Sequence, residues 1–143
     1  RCDAVAAASI RTRENLRDTE QRIADLSLLG KQIDTYRKLK PVYDRYKASK
    51  DKEKFLRGFE SEIILFEAAA REIKKAGLTK LPSSDKVKAE LEGLSARKAA
   101  LQTELRKIQR EEKEYDTLRQ NVDALLERPK EQEQQRQRSN DLE

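Results

Sequence analysis

The 143-residue sequence contains no histidine and a single cysteine, Cys2. Histidine is the usual side chain for proton transfer near neutral pH and, together with cysteine, supplies most zinc sites. Imidazole catalysis and histidine-containing metal sites are therefore excluded, and one cysteine forms neither an internal disulfide nor a thiolate cluster. The sequence also lacks a glycine-rich phosphate loop. We expect no enzymatic activity, no cofactor and no small-molecule substrate.

Glycine and proline are scarce as well, with four and three residues. Only 36% of the residues are hydrophobic and 41% are charged, which is too polar for an ordinary globular core. The abundant residues, alanine, glutamate, lysine, leucine, arginine and glutamine, all favour helix. The composition therefore predicts an all-α protein of long helices with almost no strand.

No apolar run approaches the roughly 20 residues that a membrane span needs, and no signal peptide is recognisable. We therefore expect a cytoplasmic protein that does not contact the membrane. The sequence begins with Arg1 and contains no methionine. We expect it to be a piece of a longer protein.

Apolar residues follow alternating steps of four and three between Asp85 and Leu126. Nine of the twelve positions in this series are apolar: Val87, Leu91, Leu94, Lys98, Leu101, Leu105, Ile108, Glu112, Tyr115, Arg119, Val122 and Leu126. Such a repeat predicts a coiled-coil helix over residues 83–128, capped at its start by Ser83 and Ser84 and closed by Pro129. A seam of this length also favours a homodimer.

A first long helix is predicted over residues 1–40. Its apolar stripe, interrupted by Gly30, is Leu16, Ile23, Leu26, Leu29, Ile33, Tyr36 and Leu39. Since the two long helices flank a middle segment, residues 41–82, we expect a long antiparallel coiled-coil helical hairpin with this segment as a small helical head. Residues 129–143 are predicted to be a polar, frayed tail.

Within the head, Pro41 suits the first turn of a short helix, and a second helix is expected from about Asp51 to Ala76 with Gly77 after its end. Most of the aromatic residues of the chain fall in this part. The predicted head core is Tyr43, Tyr46, Phe55, Phe59, Ile63 and Phe66. A two-helix shaft buries little by itself, so these side chains are expected to fix the turn of the hairpin.

Positive charge is concentrated in the same region. Residues 37–57 contain nine lysines and arginines against three acids, a local net charge of +6, whereas the whole chain carries +5. The candidate DNA-contacting residues are Lys38, Lys40, Arg45, Lys47, Lys50, Lys52, Lys54 and Arg57. An asymmetric basic footprint is typical of phosphate contact, although a merely solvated face has the same composition.

Four segments, in order along the chain, resemble a known family: "YDRYKAS", "KFLRGFESEIILFEAA", "GLTKLP" and "NVDALL". From about Glu14 to Leu126 the sequence is similar to the C-terminal helical region of relaxases, the mobilisation nucleases of integrative and conjugative elements in Gram-positive bacteria. The family pattern has histidines where this chain has Phe59 and Phe66. Phenylalanine at these positions fits a buried face.

The resemblance implies a non-catalytic module that assists conjugative mobilisation. The catalytic nuclease domain of such proteins is absent from this chain, so Tyr43 and Tyr46 are not interpreted as its tyrosine nucleophile. DNA at the transfer origin, and relaxosome or coupling proteins, are the partners that the resemblance implies. The alternative is a structural coiled-coil spacer or dimerisation hairpin without a nucleic-acid role.

Overall fold

The computed structural model describes residues 2–141, and the side chains of residues 3–127. Three helices follow one another: α1 (Cys2–Ala48), α2 (Lys52–Lys75) and α3 (Ser84–Asp141). The part of the chain described contains no strand. The predicted all-α class is therefore confirmed. Packing divides the chain into two units, one made of Arg1–Leu16 and Ala100–Glu143, the other of Arg17–Ala99.

Helix α1 continues through Pro41 without a break. The expected end of the first helix at residue 40, and a new short helix starting at Pro41, are therefore wrong. A proline inside a helix costs about 3 kcal/mol because it lacks an N–H and its ring crowds the preceding turn. Tyr36 and Tyr43, on either side of Pro41, both stack on Phe66 of α2, with ring centroids 4.7 and 4.3 Å apart. This packing holds the helix on both sides of the proline.

Helix α2 has the ends that its sequence predicts. The carboxylate of Asp51 accepts a hydrogen bond of 3.1 Å from the N–H of Lys54, which is the usual N-cap arrangement. After the C-terminal end, Gly77 has a φ of 72°, a left-handed conformation that glycine adopts without strain. Helical geometry is interrupted once, at Phe59, where φ is −132° and ψ is 27°.

Helix α3 begins as predicted, since the N–H of Lys86 donates a hydrogen bond of 3.1 Å to the hydroxyl of Ser83. It does not end at Pro129 but continues to Asp141. The expected closure at Pro129 and the frayed tail are therefore wrong. Glutamate, glutamine and arginine dominate the residues after Pro129, and all three favour helix. Residues 142–143 of the predicted tail lie outside the described residues.

In the unit Arg17–Ala99, α2 and α3 both run antiparallel to α1. Along α2 the direction follows from the ring pairs, since Tyr46 lies near Phe55 and Tyr36 lies on Phe66. Along α3 it follows from two polar contacts. The hydroxyl of Ser84 lies 3.3 Å from the carboxylate of Asp34, and Nζ of Lys98 lies 3.7 Å from the carboxylate of Glu20. The C-terminal part of α1 therefore packs on α2, and its middle part packs on α3.

Gly30 is a point of close approach between α1 and α3. A Cβ atom at this position would lie 3.2 Å from Cγ1 of Val87, which is itself buried. Ile33, one turn further along α1, is almost fully buried. Gly30 therefore does not merely interrupt the apolar stripe of α1. It gives the room that Val87 occupies.

Small hydroxyl residues extend the inward stripe of α1 beyond the predicted positions. Ser9, Thr12 and Thr19 are buried, and Leu16 and Ile23 at the neighbouring steps are half-buried. All five follow the alternating four-and-three spacing. Sequence reasoning missed the three hydroxyl residues because it searched for apolar side chains only. Their signal was the spacing, which continues through them.

The predicted seam of α3 faces inward over most of its length. Val87, Leu101 and Ile108 are buried, and Tyr115 is half-buried. Beyond this point the pattern ends, because every residue from 116 to 127 is exposed. The last three predicted seam positions, Arg119, Val122 and Leu126, are thus on the surface of the part that the structure describes.

Candidate nucleic-acid interface

The turn between α1 and α2 is short and is held by its own hydrogen bonds. The N–H of Ser49 donates to the carbonyl oxygen of Tyr46 at 3.2 Å, and the hydroxyl of Ser49 donates to the carbonyl oxygen of Asp51 at 3.1 Å. The side chain of Asp51 in turn caps α2. The backbone that carries Lys50 and Lys52 is thereby fixed.

Below this turn, aromatic rings contact one another in a continuous series. The centroid distances are 4.7 Å for Tyr36–Phe66, 4.3 Å for Tyr43–Phe66, 5.9 Å for Tyr43–Tyr46, 6.1 Å for Tyr46–Phe55 and 4.8 Å for Phe55–Phe59. Of the six predicted core residues, Ile63 and Phe66 are buried and the other four are half-buried. Three of these ring pairs are stacked and two are tilted, so the cluster has the geometry of a small core rather than of a platform for bases.

All eight candidate DNA-contacting residues are exposed: Lys38, Lys40, Arg45, Lys47, Lys50, Lys52, Lys54 and Arg57. Two of them lie over rings of the aromatic series. The guanidinium of Arg45 is 5.9 Å from the ring centroids of both Phe55 and Phe59, and Nζ of Lys47 is 5.4 Å from that of Tyr43. A cation over a ring face gains about 0.5–1 kcal/mol at an exposed site. These two residues are therefore partly committed to local packing.

Two further candidates have polar partners on their own helix. Nζ of Lys40 lies 3.3 Å from the carboxylate of Asp44, one turn later in α1. Nε of Arg57 donates a long hydrogen bond of 3.5 Å to the carbonyl oxygen of Glu53. Exposed pairs of this kind are weak and exchange readily with other partners.

The side chains of Lys38, Lys50, Lys52 and Lys54 have no partner among the described residues, and we call these four residues the lysine group. Three of them lie within five residues of one another around the α1–α2 turn. Two acids lie among these three lysines: Asp51 accepts the capping hydrogen bond, and Glu53 stands exposed between Lys52 and Lys54 without an ion pair to either. Ammonium groups that form no ion pair within the chain remain available to attract phosphate.

Arg37 has a different role from the basic residues that follow it. Its guanidinium donates a hydrogen bond of 2.6 Å to the carbonyl oxygen of Pro82, and a second of 3.5 Å to that of Leu81. It thus ties α1 to the segment that leads into α3. Sequence reasoning counted Arg37 in the local charge, and no sequence feature separated it from Lys38.

The described part of the chain contains no cluster of three or more side chains that could hold a metal ion. None of its helices is both long and apolar enough to cross a membrane. What the α1–α2 end offers chemically is therefore a set of exposed cations on a fixed backbone. Side chains of this kind suit contact with phosphate through charge and are not arranged to read base edges.

Comparison with known proteins found no match: no family model, no curated protein and no solved structure is significantly similar to this chain. The likeness to relaxases thus depends on the four sequence segments alone.

Proposed function

We propose that this chain is a non-catalytic helical module that binds the phosphate backbone of DNA through the α1–α2 end. The observation that carries the proposal is the lysine group, Lys38, Lys50, Lys52 and Lys54, because all four side chains are exposed and have no partner among the described residues. Residues 37–57 hold nine basic and three acidic residues, so the surrounding charge adds to their attraction for phosphate.

Binding of this kind is driven by counterion release. Each phosphate neutralised on duplex DNA adds about 0.9 to the slope of the logarithm of the association constant against the logarithm of salt concentration. The aromatic series contributes little, because its rings are half-buried or buried and contact one another. The expected binding is therefore weakly sequence-dependent and falls steeply with salt.

The relaxase resemblance gives this activity a context. We propose a module of a DNA-transfer relaxase that assists conjugative mobilisation in the cytoplasm, holding DNA near the transfer origin or docking relaxosome or coupling proteins. The proposed architecture is an antiparallel coiled-coil hairpin. It is supported by the antiparallel contacts of α2 and α3 with α1 inside the unit Arg17–Ala99.

A structural spacer or dimerisation module is the second candidate. It is favoured by the commitment of Arg45 and Lys47 to aromatic rings, and by large apolar side chains that stand exposed near the end of the described side chains of α3. A spacer requires only its helix contacts. It does not require the lysine group.

The deciding experiment measures binding of the chain to labelled duplex and single-stranded DNA over a salt series. The test variant replaces Lys50, Lys52 and Lys54 by glutamine. If each lysine contacts one phosphate, the salt slope on duplex DNA should fall by about 3, and binding should weaken equally for unrelated sequences.

A matched control replaces Lys86, Lys88 and Arg97 by glutamine. These residues of α3 are also exposed, but residues 85–97 contain three acids and three basic residues, so their local charge is balanced. The control should bind DNA almost as well as the parent chain. If both variants lost the same DNA affinity, binding would depend on the net charge of the chain and not on the lysines at the α1–α2 turn. That result would contradict the proposal. Absence of binding at low salt would leave the spacer as the function.

A further inference from the structure

An apolar stripe on α3 stands exposed near the end of the described side chains. Leu118 is 61% exposed, Val122 47%, Leu125 63% and Leu126 69%. Single exposed leucines are common on soluble proteins. Here Leu118, Val122 and Leu125 follow steps of four and three, which places them on one face of the helix.

This stripe is not a simple continuation of the inward face of α3. Leu101, Ile108, Tyr115 and Val122 are separated by steps of seven and form one row along the helix. The inward face uses this row together with positions four residues after its members, such as Leu105. The exposed stripe uses the row together with positions three residues after its members, Leu118 and Leu125. Leu126, four residues after Val122, keeps the spacing of the inward face and is exposed as well. Beyond Tyr115 the apolar surface therefore widens to include the positions of Leu118 and Leu125.

The residue types on the stripe favour two parallel strands. In heptad notation Tyr115 and Val122 occupy a positions, and Leu118 and Leu125 occupy d positions. A β-branched residue at a with leucine at d favours a parallel two-stranded coiled coil. Val122 meets the first condition and the two leucines meet the second.

The charges beside the stripe favour the same arrangement. In this notation Glu114 is at a g position and Arg119 at the following e position, and both are exposed. In a parallel pair of identical helices, g of one strand faces the next e of the other, so Glu114 would face Arg119 of the second copy, twice by symmetry. In an antiparallel pair centred on the stripe, Arg119 of one copy would instead face Arg119 of the other, which is a like-charge contact.

We propose that Leu118, Val122 and Leu125, together with the half-buried Tyr115, pair in parallel with the same residues of a second copy of this chain. The proposal is independent of DNA binding. The stripe spans less than two heptads, whereas stable coiled coils usually need about three to four. The association is therefore weak and appears only as the protein concentration rises.

Sedimentation equilibrium over a concentration series tests the pairing. The test variant is Val122→Asp, which places a carboxylate at the centre of the stripe. Its matched control is Gln120→Asp, which adds the same group at an exposed position on the opposite side of α3. Val122→Asp should weaken association by about tenfold or more, because burying a valine side chain contributes about one such factor. Gln120→Asp should leave it unchanged.

Charge reversal tests the parallel register. Glu114→Arg and Arg119→Glu should each weaken association, because each creates two like-charge contacts. The double variant restores opposite charges in reversed order and should associate as the parent chain does. Circular dichroism on each variant checks that the helix content is retained.

Three outcomes would overturn the proposal. The parent chain remains monomeric at every concentration, or Val122→Asp and Gln120→Asp associate equally well, or the double charge variant associates no better than the two single ones. The first outcome would mean that the chain does not self-associate. The second would mean that it pairs through another surface, and the third that it pairs in another register.

Discussion

The guanidinium of Arg37 in α1 lies 2.6 Å from the carbonyl oxygen of Pro82, 45 residues further along the chain. Since Pro82 directly precedes the cap of α3, this hydrogen bond joins α1 to the start of α3. Arg37→Ala should lower the free energy of unfolding by about 1 kcal/mol, less than the roughly 1.5–3 kcal/mol of a buried hydrogen bond to a charged group, because the arginine is exposed. Urea unfolding measures the difference. Lys38→Ala is the control and should change stability by less than about 0.5 kcal/mol.

Gly30 and Gly93 should respond differently to alanine. Gly93 lies in α3 with nothing within 4 Å of an added Cβ, so Gly93→Ala should raise stability by about 0.5–1 kcal/mol. Gly30→Ala gains the same backbone preference but brings Cβ to 3.2 Å from Val87. Gly30→Ala should therefore raise the free energy of unfolding by less than Gly93→Ala does, or should lower it. Thermal unfolding compares the two.

The contact with Val87 can be isolated in a double-mutant cycle. In a Val87→Ala background, Gly30→Ala should become as favourable as Gly93→Ala, because the crowded methyl group is gone. An unchanged effect of Gly30→Ala in that background would contradict the close approach of α1 and α3.

Phe66 and Leu65 are neighbours in sequence with opposite environments. Phe66 is 5% exposed and Leu65 is 55% exposed. Phe66→Ala should lower the free energy of unfolding by about 3 kcal/mol, and Leu65→Ala by less than about 1 kcal/mol. If Phe66→Ala does not fold, Phe66→Leu replaces it in the comparison. Phe66→Leu should lower the free energy of unfolding by less than Phe66→Ala, but still by more than Leu65→Ala does. If Phe66→Ala and Leu65→Ala lowered stability by similar amounts, Phe66 would not be part of the core at the α1–α2 end.

Gly77 should resist substitution because of its backbone and not because of its surroundings. Its φ is 72°, and nothing lies within 4 Å of an added Cβ. Gly77→Ala should therefore cost about 1 kcal/mol, and Gly77→Asn less, since asparagine tolerates the left-handed region better. If alanine and asparagine were equally tolerated, the left-handed cap would not form in solution.

Sequence reasoning was most successful where one local rule determined the outcome. Capping chemistry located the end of α2 through Gly77 and the start of α3 through Ser83, and the predicted start of α2 at about Asp51 coincides with its N-cap. The spacing of apolar residues identified the inward face of α3 as far as Tyr115. These features depend on residues close together in the chain, so the sequence contains the information directly.

Sequence reasoning failed where contacts between residues distant in the chain outweighed a local preference. Pro41 predicts a helix boundary by itself, whereas the stacking of Tyr36 and Tyr43 on Phe66 holds α1 on both sides of the proline. Likewise, the partner of Arg37 lies in a segment that no local pattern connects to it. At the candidate DNA surface, the sequence predicted a basic region. It did not separate the lysine group from basic residues that already have partners.

The helix across Pro41 has a consequence for how this protein unfolds. Because proline withholds one helical hydrogen bond, the last turns of α1 depend on the rings of α2 for their order. Opening of α2 should therefore release those turns at the same time. Native-state hydrogen exchange should show amides after Pro41 and amides near Phe66 opening with one common free energy, as a single cooperative unit at this end of the chain.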